Sequence, residues 1–328
     1  MTESAQLIEA LDARVKRREE RRDFFKNALG AVAMTAAGAT ALSMSSKAAA
    51  QAVTDADVLN FALNLEYLEA QFYSYAANGT GLDASLLTGT GTQGTVLGGR
   101  KVAFTDPVVQ QYAREIAADE VAHVRFLRTA LGTSAVSMPT VDVSVGPNTA
   151  FSAAARAAGL IGATDSFDPY STDENFLLGA FIFEDVGVTA YKGASPLITN
   201  NTYLDAAAGI LAAEAFHAGL IRTVLYSKGI ATPTLRTGAD AISNARDSLD
   251  GTDDRDQGIS PMSRALTTTA GATTNVQISN IAPTDSTGQA YSRTTGQVLH
   301  IVYLTSAAAA AAGGFFPNGV NGTIRTAS

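Results

Sequence analysis

Cysteine and tryptophan are absent from this chain of 328 residues, and only three histidines occur. Without cysteine the protein has no disulfides, no thiolate zinc site, no iron–sulfur cluster and no cysteine nucleophile. Charged residues are also scarce, since Asp, Glu, Lys and Arg together make up 16% of the chain. A glutamate or histidine inside an apolar segment of such a sequence therefore needs a specific explanation.

Basic residues are fewer than acidic residues. The chain carries 23 Lys and Arg against 31 Asp and Glu, for a formal net charge of −8, and no basic stripe follows residue 50. Such a surface repels polyanions, so we expect neither nucleic-acid binding nor attraction to anionic membranes. Hydrophobic residues make up 46% of the sequence, which suffices for a substantial core in one large domain or two small ones.

The N-terminal region has the features of an export signal. Its apolar part, in "RRDFFKNALGAVAMTAAGATALSMSSKAAAQA", follows Arg21 and Arg22 and ends in three alanines. This stretch is too weakly apolar for a lasting membrane anchor and ends in a cleavable Ala-x-Ala pattern. The run Arg-Arg-x-Phe-Phe-Lys resembles the twin-arginine signal, which exports folded proteins, although Glu20 replaces the usual serine or threonine. We expect residues 1–50 to be a signal peptide and the mature protein to be periplasmic or extracellular; a disordered basic tail is the alternative.

Helical periodicity dominates the remaining chain. Asp55 or Asp57 is a suitable cap for a first helix ending at Asn78, and Asp106-Pro107 begins a second one. The last two long helices are so apolar that we expect both to be buried. Strand signals are few, so the predicted fold class is all-α. The four long helices are predicted over residues 55–78, 107–131, 174–194 and 201–229.

Two helices contain a glutamate followed three residues later by a histidine. These pairs are Glu120 with His123 and Glu214 with His217. Residues three apart project from the same helix face, so each pair presents a carboxylate and an imidazole together. Two of the three histidines fall in this pattern, which makes coincidence a weak explanation.

The other two long helices repeat a second pattern. Glu66 precedes Tyr73 by seven residues, and Glu184 precedes Tyr191 by seven. The halves therefore resemble two helical hairpins related by a pseudo-twofold axis. Glu69 competes with Glu66 for the position in the first helix, and the symmetry favours Glu66. The tyrosines either hydrogen-bond to carboxylates across the bundle or are ordinary core residues.

Unpaired carboxylates are too costly to bury in an apolar bundle, so these must protonate, pair with cations or bind metal. The first, third and fourth long helices offer no central Lys or Arg as a partner. Four carboxylates are neutralised by two divalent cations, and each imidazole supplies one nitrogen ligand. Oxygen and nitrogen ligands without sulfur favour iron or manganese, with zinc as an adventitious occupant. The predicted metal ligands are Glu66, Glu120, His123, Glu184, Glu214 and His217.

With these residues the chain resembles the ferritin-like superfamily and, within it, the desiccation-related branch. The stretches "LNFALNLEYLEAQFY", "FIFEDVGVTAYKGA" and "VLHIVY" with "GGFFPNGVNG" carry the resemblance. It implies a ferritin-like four-helix bundle over residues 51–230 and the same six metal ligands. Residues 231–328 are expected to form a polar, irregular extension packed on the bundle, with His300 as a packed or capping histidine.

The resemblance leaves several functions open. A pair of iron or manganese ions is suited to redox chemistry on peroxide or oxygen, as a catalase-like or ferroxidase-like activity. The alternatives are a non-catalytic protective protein of desiccation stress and a metal-sequestering protein. A homo-oligomer is also possible, because the apolar segment "LTSAAAAAAGGFF" is suited either to an interface or to an arm over the bundle.

Overall fold

The protein is described here from a computed structural model, which defines residues 53–328. The predicted signal peptide, residues 1–50, lies outside the described residues. Helices dominate the described part of the chain, and the predicted all-α class is confirmed. The helices are α1 (Asp55–Asn78), α2 (Pro107–Leu131), α3 (Ala150–Ala157), α4 (Asp173–Ala194), α5 (Asn201–Ala231), α6 (Thr234–Asp250) and α7 (Thr295–Val302).

Capping residues set the ends of the bundle helices. Thr54 caps α1 and forms a reciprocal capping box with Asp57, so the cap lies one residue before the predicted Asp55. Gly79 ends α1 in the left-handed conformation, with φ of 85°, which glycine adopts without steric cost. Asp106 caps α2 by accepting from the backbone N–H groups of the first turn.

The four long helices form two pairs around one core. α1 packs on α2, and α4 packs on α5, while α1 and α4 also contact each other across the bundle. Aromatic rings fill the space between α1, α3 and α4: Phe72 stacks on Phe176 at 5.7 Å and packs on Phe151 at 5.3 Å. This arrangement brings one polar face of each long helix to the centre of the bundle.

The prediction that both late helices are buried is right for α4 and wrong for α5. Nearly every residue of α4 is buried, whereas Phe216 and Ile230 of α5 are 74% and 69% exposed. α5 is rich in alanine and glycine, whose small side chains expose little apolar area to water even on an outer face. By length and composition α5 is able to cross a membrane, but its buried polar side chains, Glu214, His217 and Arg222, face other elements of the bundle.

A buried ionic network joins the residues after α5 to α4 and α5. Arg222 of α5 donates to Asp185 of α4 at 2.7 Å, and Arg246 of α6 donates to the same carboxylate at 3.0 Å. Burial of these charges is tolerated because each guanidinium meets carboxylates or carbonyls. The network consists of Asp185, Arg222, Arg246, Asp250, Asp256 and Arg293.

Two small strand pairs accompany the helices. β1 (Val96–Gly98), which precedes α2, pairs in parallel with β2 (Val141–Val143), which lies between α2 and α3. β3 (Met262–Thr267) and β4 (Thr273–Ile278) form an antiparallel hairpin that is largely exposed. The sequence does not predict this hairpin, because its strands lack a sustained apolar alternation.

Candidate metal centre

All six predicted ligands lie together at the centre of the bundle. Each of the four long helices contributes, and every one of the six residues is at most 9% exposed. Helical spacing explains the convergence, because a glutamate and the histidine three residues later share one inward face. The contributors are Glu66 from α1, Glu120 and His123 from α2, Glu184 from α4, and Glu214 and His217 from α5.

The six side chains form two ligand groups that share Glu120. Within each group the ligand atoms all lie within 4.8 Å of one another. Glu120 Oε2 is 3.5 Å from His123 Nδ1, and Glu120 Oε1 is 3.1 Å from His217 Nδ1. One carboxylate therefore presents one oxygen to each histidine. The first group is Glu66, Glu120, His123 and Glu214; the second is Glu120, Glu184 and His217.

The hydrogen bonds of the site leave several buried atoms without a partner. Both carboxylate oxygens of Glu120 and of Glu214 are unsatisfied, as are one oxygen of Glu184 and Nδ1 of His217. A buried polar group without a hydrogen-bond partner reduces the free energy of unfolding by about 1–3 kcal/mol, and by more when the group is charged. All of these atoms belong to residues of the two ligand groups. The residues thus fit a pair of cations bound between them, while their assignment as ligands stays a prediction.

No basic side chain neutralises this cluster. Among the described residues, no Lys or Arg forms an ion pair with any of the six. Arg222 is buried in the same helix as Glu214, but its guanidinium is directed to Asp185 and to backbone carbonyls of the C-terminal segment. Charge compensation inside the bundle must therefore come from protons or metal ions.

The protonation equilibria reflect this crowding of acids. Burial raises the pKa of Glu66 to about 7 and the pKa of Glu184 to about 8. Burial, with repulsion from Glu120, also raises the pKa of Glu214 well above its ordinary value. Burial acts on Glu120 in the same direction, but the close contact with the two histidines outweighs it and lowers the pKa of Glu120 to about 2.

The pKa values of both histidines are raised, which favours their protonated, positively charged form. Burial lowers the pKa of His123 and of His217, yet the surrounding carboxylates outweigh burial and raise these pKa values to about 11 and about 9. The cluster therefore attracts positive charge. Because a metal ligand must be deprotonated, these protons leave when metal ions bind.

Two tyrosines hydrogen-bond to Glu184 and Glu66 across the bundle. The Tyr73 hydroxyl of α1 donates to Glu184 Oε1 of α4, and the Tyr191 hydroxyl of α4 donates to Glu66 Oε1 of α1. Both tyrosines are buried. Of the two readings that the sequence allows for these tyrosines, the structure supports the hydrogen bond across the bundle.

A fifth carboxyl group, that of Glu69, lies at the edge of the site. Glu69 is 6% exposed and belongs to neither ligand group. Burial, reinforced by repulsion from Glu120, raises its pKa well above the ordinary value. Glu214 packs against Gly187 of α4. Glycine leaves room for this carboxylate, because a Cβ at Gly187 would lie 2.4 Å from Glu214 Oε2.

Sequence reasoning misses one polar residue in contact with the site. Asp119 Oδ2 is 3.2 Å from Nε2 of His217, the ring nitrogen that faces away from the ligand group. Such a carboxylate fixes the tautomer and the orientation of a ligating histidine. The sequence contains the information needed to identify Asp119, because this residue directly precedes the predicted ligand Glu120. The equivalent position before Glu214 is Ala213, so His123 lacks the same partner.

The remaining histidine plays no part in the cluster. His300 lies in the last turn of α7, and its Nδ1 is 2.7 Å from the carbonyl of Thr305. This is the geometry of the packed, capping histidine that the sequence predicts.

The sequence comparisons agree with the fold. The family model described as "Ferritin-like domain" matches residues 54–227. A "Ferritin-like catalase Nec2" of Nesocodon mauritianus is 30% identical over 275 residues, which cover 82% of this chain and 84% of that protein. A "Desiccation-related protein PCC13-62" of Craterostigma plantagineum is 33% identical over 177 residues, covering 53% of this chain and 54% of that protein.

No solved structure matches the chain. The family match nevertheless spans all four long helices and contains all six clustered residues. The chain therefore belongs to the ferritin-like domain family.

Proposed function

We propose that this protein holds two iron or manganese ions in its bundle and breaks down hydrogen peroxide with them. The observation that carries the proposal is the shared position of Glu120, which offers one oxygen to each of two ligand groups. A carboxylate shared in this way is typical of binuclear centres in four-helix bundles. The buried cluster of carboxylates and histidines fits a metal-binding ferritin-like protein, and peroxide breakdown is the chemistry that we propose for it.

The charges of the site suit two divalent cations. Four glutamates carry four negative charges when they are deprotonated, and two divalent ions neutralise them. His123 and His217 lie on opposite sides of Glu120, so each ion receives one nitrogen ligand. Neutrality in the bundle interior removes the cost of burying the carboxylates, which no arginine or lysine of residues 53–328 offsets.

When bound, two such ions supply the paired electrons needed to convert two molecules of hydrogen peroxide into oxygen and two of water. The chain itself orients the ligands and limits water. Tyr73 and Tyr191 hold Glu184 and Glu66 in place through their hydroxyls. The aromatic and aliphatic core of α1 and α4 keeps bulk water from the centre.

The relative named as a ferritin-like catalase supports peroxide as the substrate over iron oxidation. Ferroxidase activity, with oxygen as the oxidant, is the second redox candidate. A protective or metal-sequestering role without turnover uses the same ligands. These possibilities differ in what the loaded protein does to peroxide and to Fe(II).

Metal content and peroxide breakdown test the proposal together. The protein is loaded with Mn(II) or with Fe(II), its metal content is measured by elemental analysis, and oxygen release from hydrogen peroxide is followed with an electrode. We expect two ions per chain and sustained oxygen release with one of the metals. Glu120→Gln should lose both the paired ions and the oxygen release, because each ligand group contains Glu120.

Glu115→Gln is the matched control, because Glu115 is an exposed residue of the same helix. It should keep the metal content and the activity of the wild type. Two bound ions without oxygen release would overturn the catalase assignment, and rapid Fe(II) oxidation by the same protein would favour the ferroxidase. Bound ions with neither reaction would support the protective or sequestering role.

We propose further that residues 1–50 direct the protein out of the cytoplasm through twin-arginine export. Arg21 and Arg22 followed by Phe24, Phe25 and Lys26 support this. Replacing both arginines with lysine should retain the uncleaved chain in the cytoplasm, while the wild type appears in the periplasmic or extracellular fraction. Equal distribution of the two proteins would contradict the proposal.

A further inference from the structure

The six predicted ligands are not equally shielded from water. The side chain of His123 is 11% exposed, whereas those of His217 and Glu184 are 4% and 2% exposed. The side chains of Glu66, Glu120 and Glu214 are fully buried. Solvent therefore comes closest to the centre at His123.

His123 forms part of an open groove between α2 and α5. The groove has a volume of about 290 Å³, enough for several waters at about 30 Å³ each. Small side chains make up half of its lining, which keeps the space between the two helices free. The lining residues are Ala122, His123, Phe126, Ala206, Gly209 and Ile210.

The other approaches to the centre are narrower or closed. On the His217 side, the Asp119 carboxylate lies 3.2 Å from Nε2 and covers that ring edge. Nε2 of His123 has no hydrogen-bond partner within residues 53–328. Two apolar cavities of about 20 Å³ reach Glu69 and Tyr191, and each has room for about one water.

We propose that the groove between α2 and α5 is the passage by which hydrated divalent cations, and then hydrogen peroxide, reach the metal centre. His123 lies at the inner end of this passage, and Gly209 keeps its α5 wall open. The proposal rests on the binuclear centre proposed above, since a passage of this kind serves the ligands that His123 adjoins.

Gly209 makes the passage testable without disturbing the ligands. A Cβ added at Gly209 meets no atom within 4 Å, so a larger side chain fits there and extends into the groove. Leucine also favours a helix over glycine by up to about 1 kcal/mol, so Gly209→Leu should preserve α5. The substitution narrows the passage and leaves all six ligands unchanged.

Gly219 supplies a matched control on the same helix. A Cβ there also meets nothing within 4 Å, and Gly219 lines a separate cavity beside Arg222 and Tyr291. Gly219→Leu therefore makes the same chemical change away from the groove. Ala122→Leu, at an exposed position on the opposite wall, is a second way to narrow the groove if Gly209→Leu does not fold.

The measurement is the rate at which the metal-free full chain takes up Co(II) as the probe, followed by visible absorption. Final occupancy is measured by elemental analysis. We expect Gly209→Leu to load about tenfold more slowly, because entry then requires the helices to move apart. Wild type and Gly219→Leu should load at the same rate, and all three should reach two ions per chain.

The outcomes separate this inference from the proposed function. Uptake of two ions at the wild-type rate by Gly209→Leu and by Ala122→Leu overturns the passage and leaves the binuclear centre intact. Equal slowing by Gly219→Leu also overturns the passage. If the wild type binds no ions at equilibrium, the binuclear centre fails and the passage with it.

Discussion

The two helical hairpins of the bundle, α1–α2 and α4–α5, carry the same inner pattern in different surroundings. Inside, Glu66 mirrors Glu184, and each accepts from a tyrosine of the opposite hairpin. Arg128 follows Glu120 by eight residues, just as Arg222 follows Glu214. Arg222 is fully buried in the ionic network, whereas Arg128 is half-buried against Tyr67. The comparison indicates that the carboxylate and histidine cluster constrains the inner faces of both hairpins, while the buried ionic network ties residues 231–328 to the second hairpin.

Removing the buried arginine of the second hairpin should have the largest effect on stability. Arg222→Met leaves Asp185 with one arginine fewer and several carbonyls unpaired, so we expect a loss of about 3–5 kcal/mol in the free energy of unfolding. Arg128→Met removes hydrogen bonds to Tyr67 and Thr88 and should cost about 1 kcal/mol. Urea unfolding of both variants measures the difference, and equal losses would contradict the contrast.

The inner symmetry predicts which glutamate of α1 is a ligand. Glu66→Gln should weaken metal binding at one of the two sites by about 100-fold or more, since loss of supporting contacts alone costs about 10–100-fold. Glu69→Gln should retain both ions, because Glu69 belongs to neither ligand group. Titration calorimetry with Mn(II) compares the two variants, and the reverse order of effects would assign Glu69 as the ligand.

His217 Nε2 contacts Asp119, whereas His123 has no equivalent carboxylate partner within residues 53–328. A substitution at Asp119 removes this difference. Asp119→Asn weakens the acceptor for His217 Nε2 and should lower the affinity of the neighbouring metal site by about tenfold. The site beside His123 should change little, because Ala213 occupies the equivalent position. Competitive titration with a chelator resolves the two affinities, and an equal decrease at both would contradict the assignment.

The pH dependence of stability should have a smaller effect. The raised pKa values of Glu66, Glu184 and His217 mean that the folded metal-free protein holds more protons than the unfolded chain. Its free energy of unfolding should therefore fall between about pH 5 and pH 9, lowering Tm by about 2–4 °C per kcal/mol lost. Glu184→Gln should flatten this slope in thermal unfolding, and a rise of Tm with pH would contradict the account.

Metal binding should reverse that trend. Bound ions need deprotonated ligands, so their affinity increases as pH rises through the same window. Added Mn(II) should therefore raise Tm more at about pH 8 than at about pH 6. A metal effect that is independent of pH would indicate ligands other than these six.

The sequence predicts the helices and the inner face of the site because local signals encode both. Asp106-Pro107 and Gly79 mark helix ends through backbone chemistry alone, and the Glu-x-x-His spacing determines which side chains share a face. Symmetry between the hairpins then favours Glu66 over Glu69, and in the structure Glu66 belongs to a ligand group whereas Glu69 does not.

What the sequence does not predict depends on contacts between distant segments. The Arg293 guanidinium meets Asp250 and Asp256 from two other parts of the chain, and no local pattern signals that meeting. The exposure of Phe216 on α5 likewise depends on which elements cover the helix. Residues 1–50 lie outside the described part of the chain, so the export signal stays a prediction.

Anomalous diffraction from crystals of the manganese-loaded protein tests the central claim most directly. The account predicts two manganese peaks per chain, about 4 Å apart, both beside Glu120, one next to His123 and the other next to His217. A single peak at this place, or ions bound only elsewhere on the chain, would contradict it.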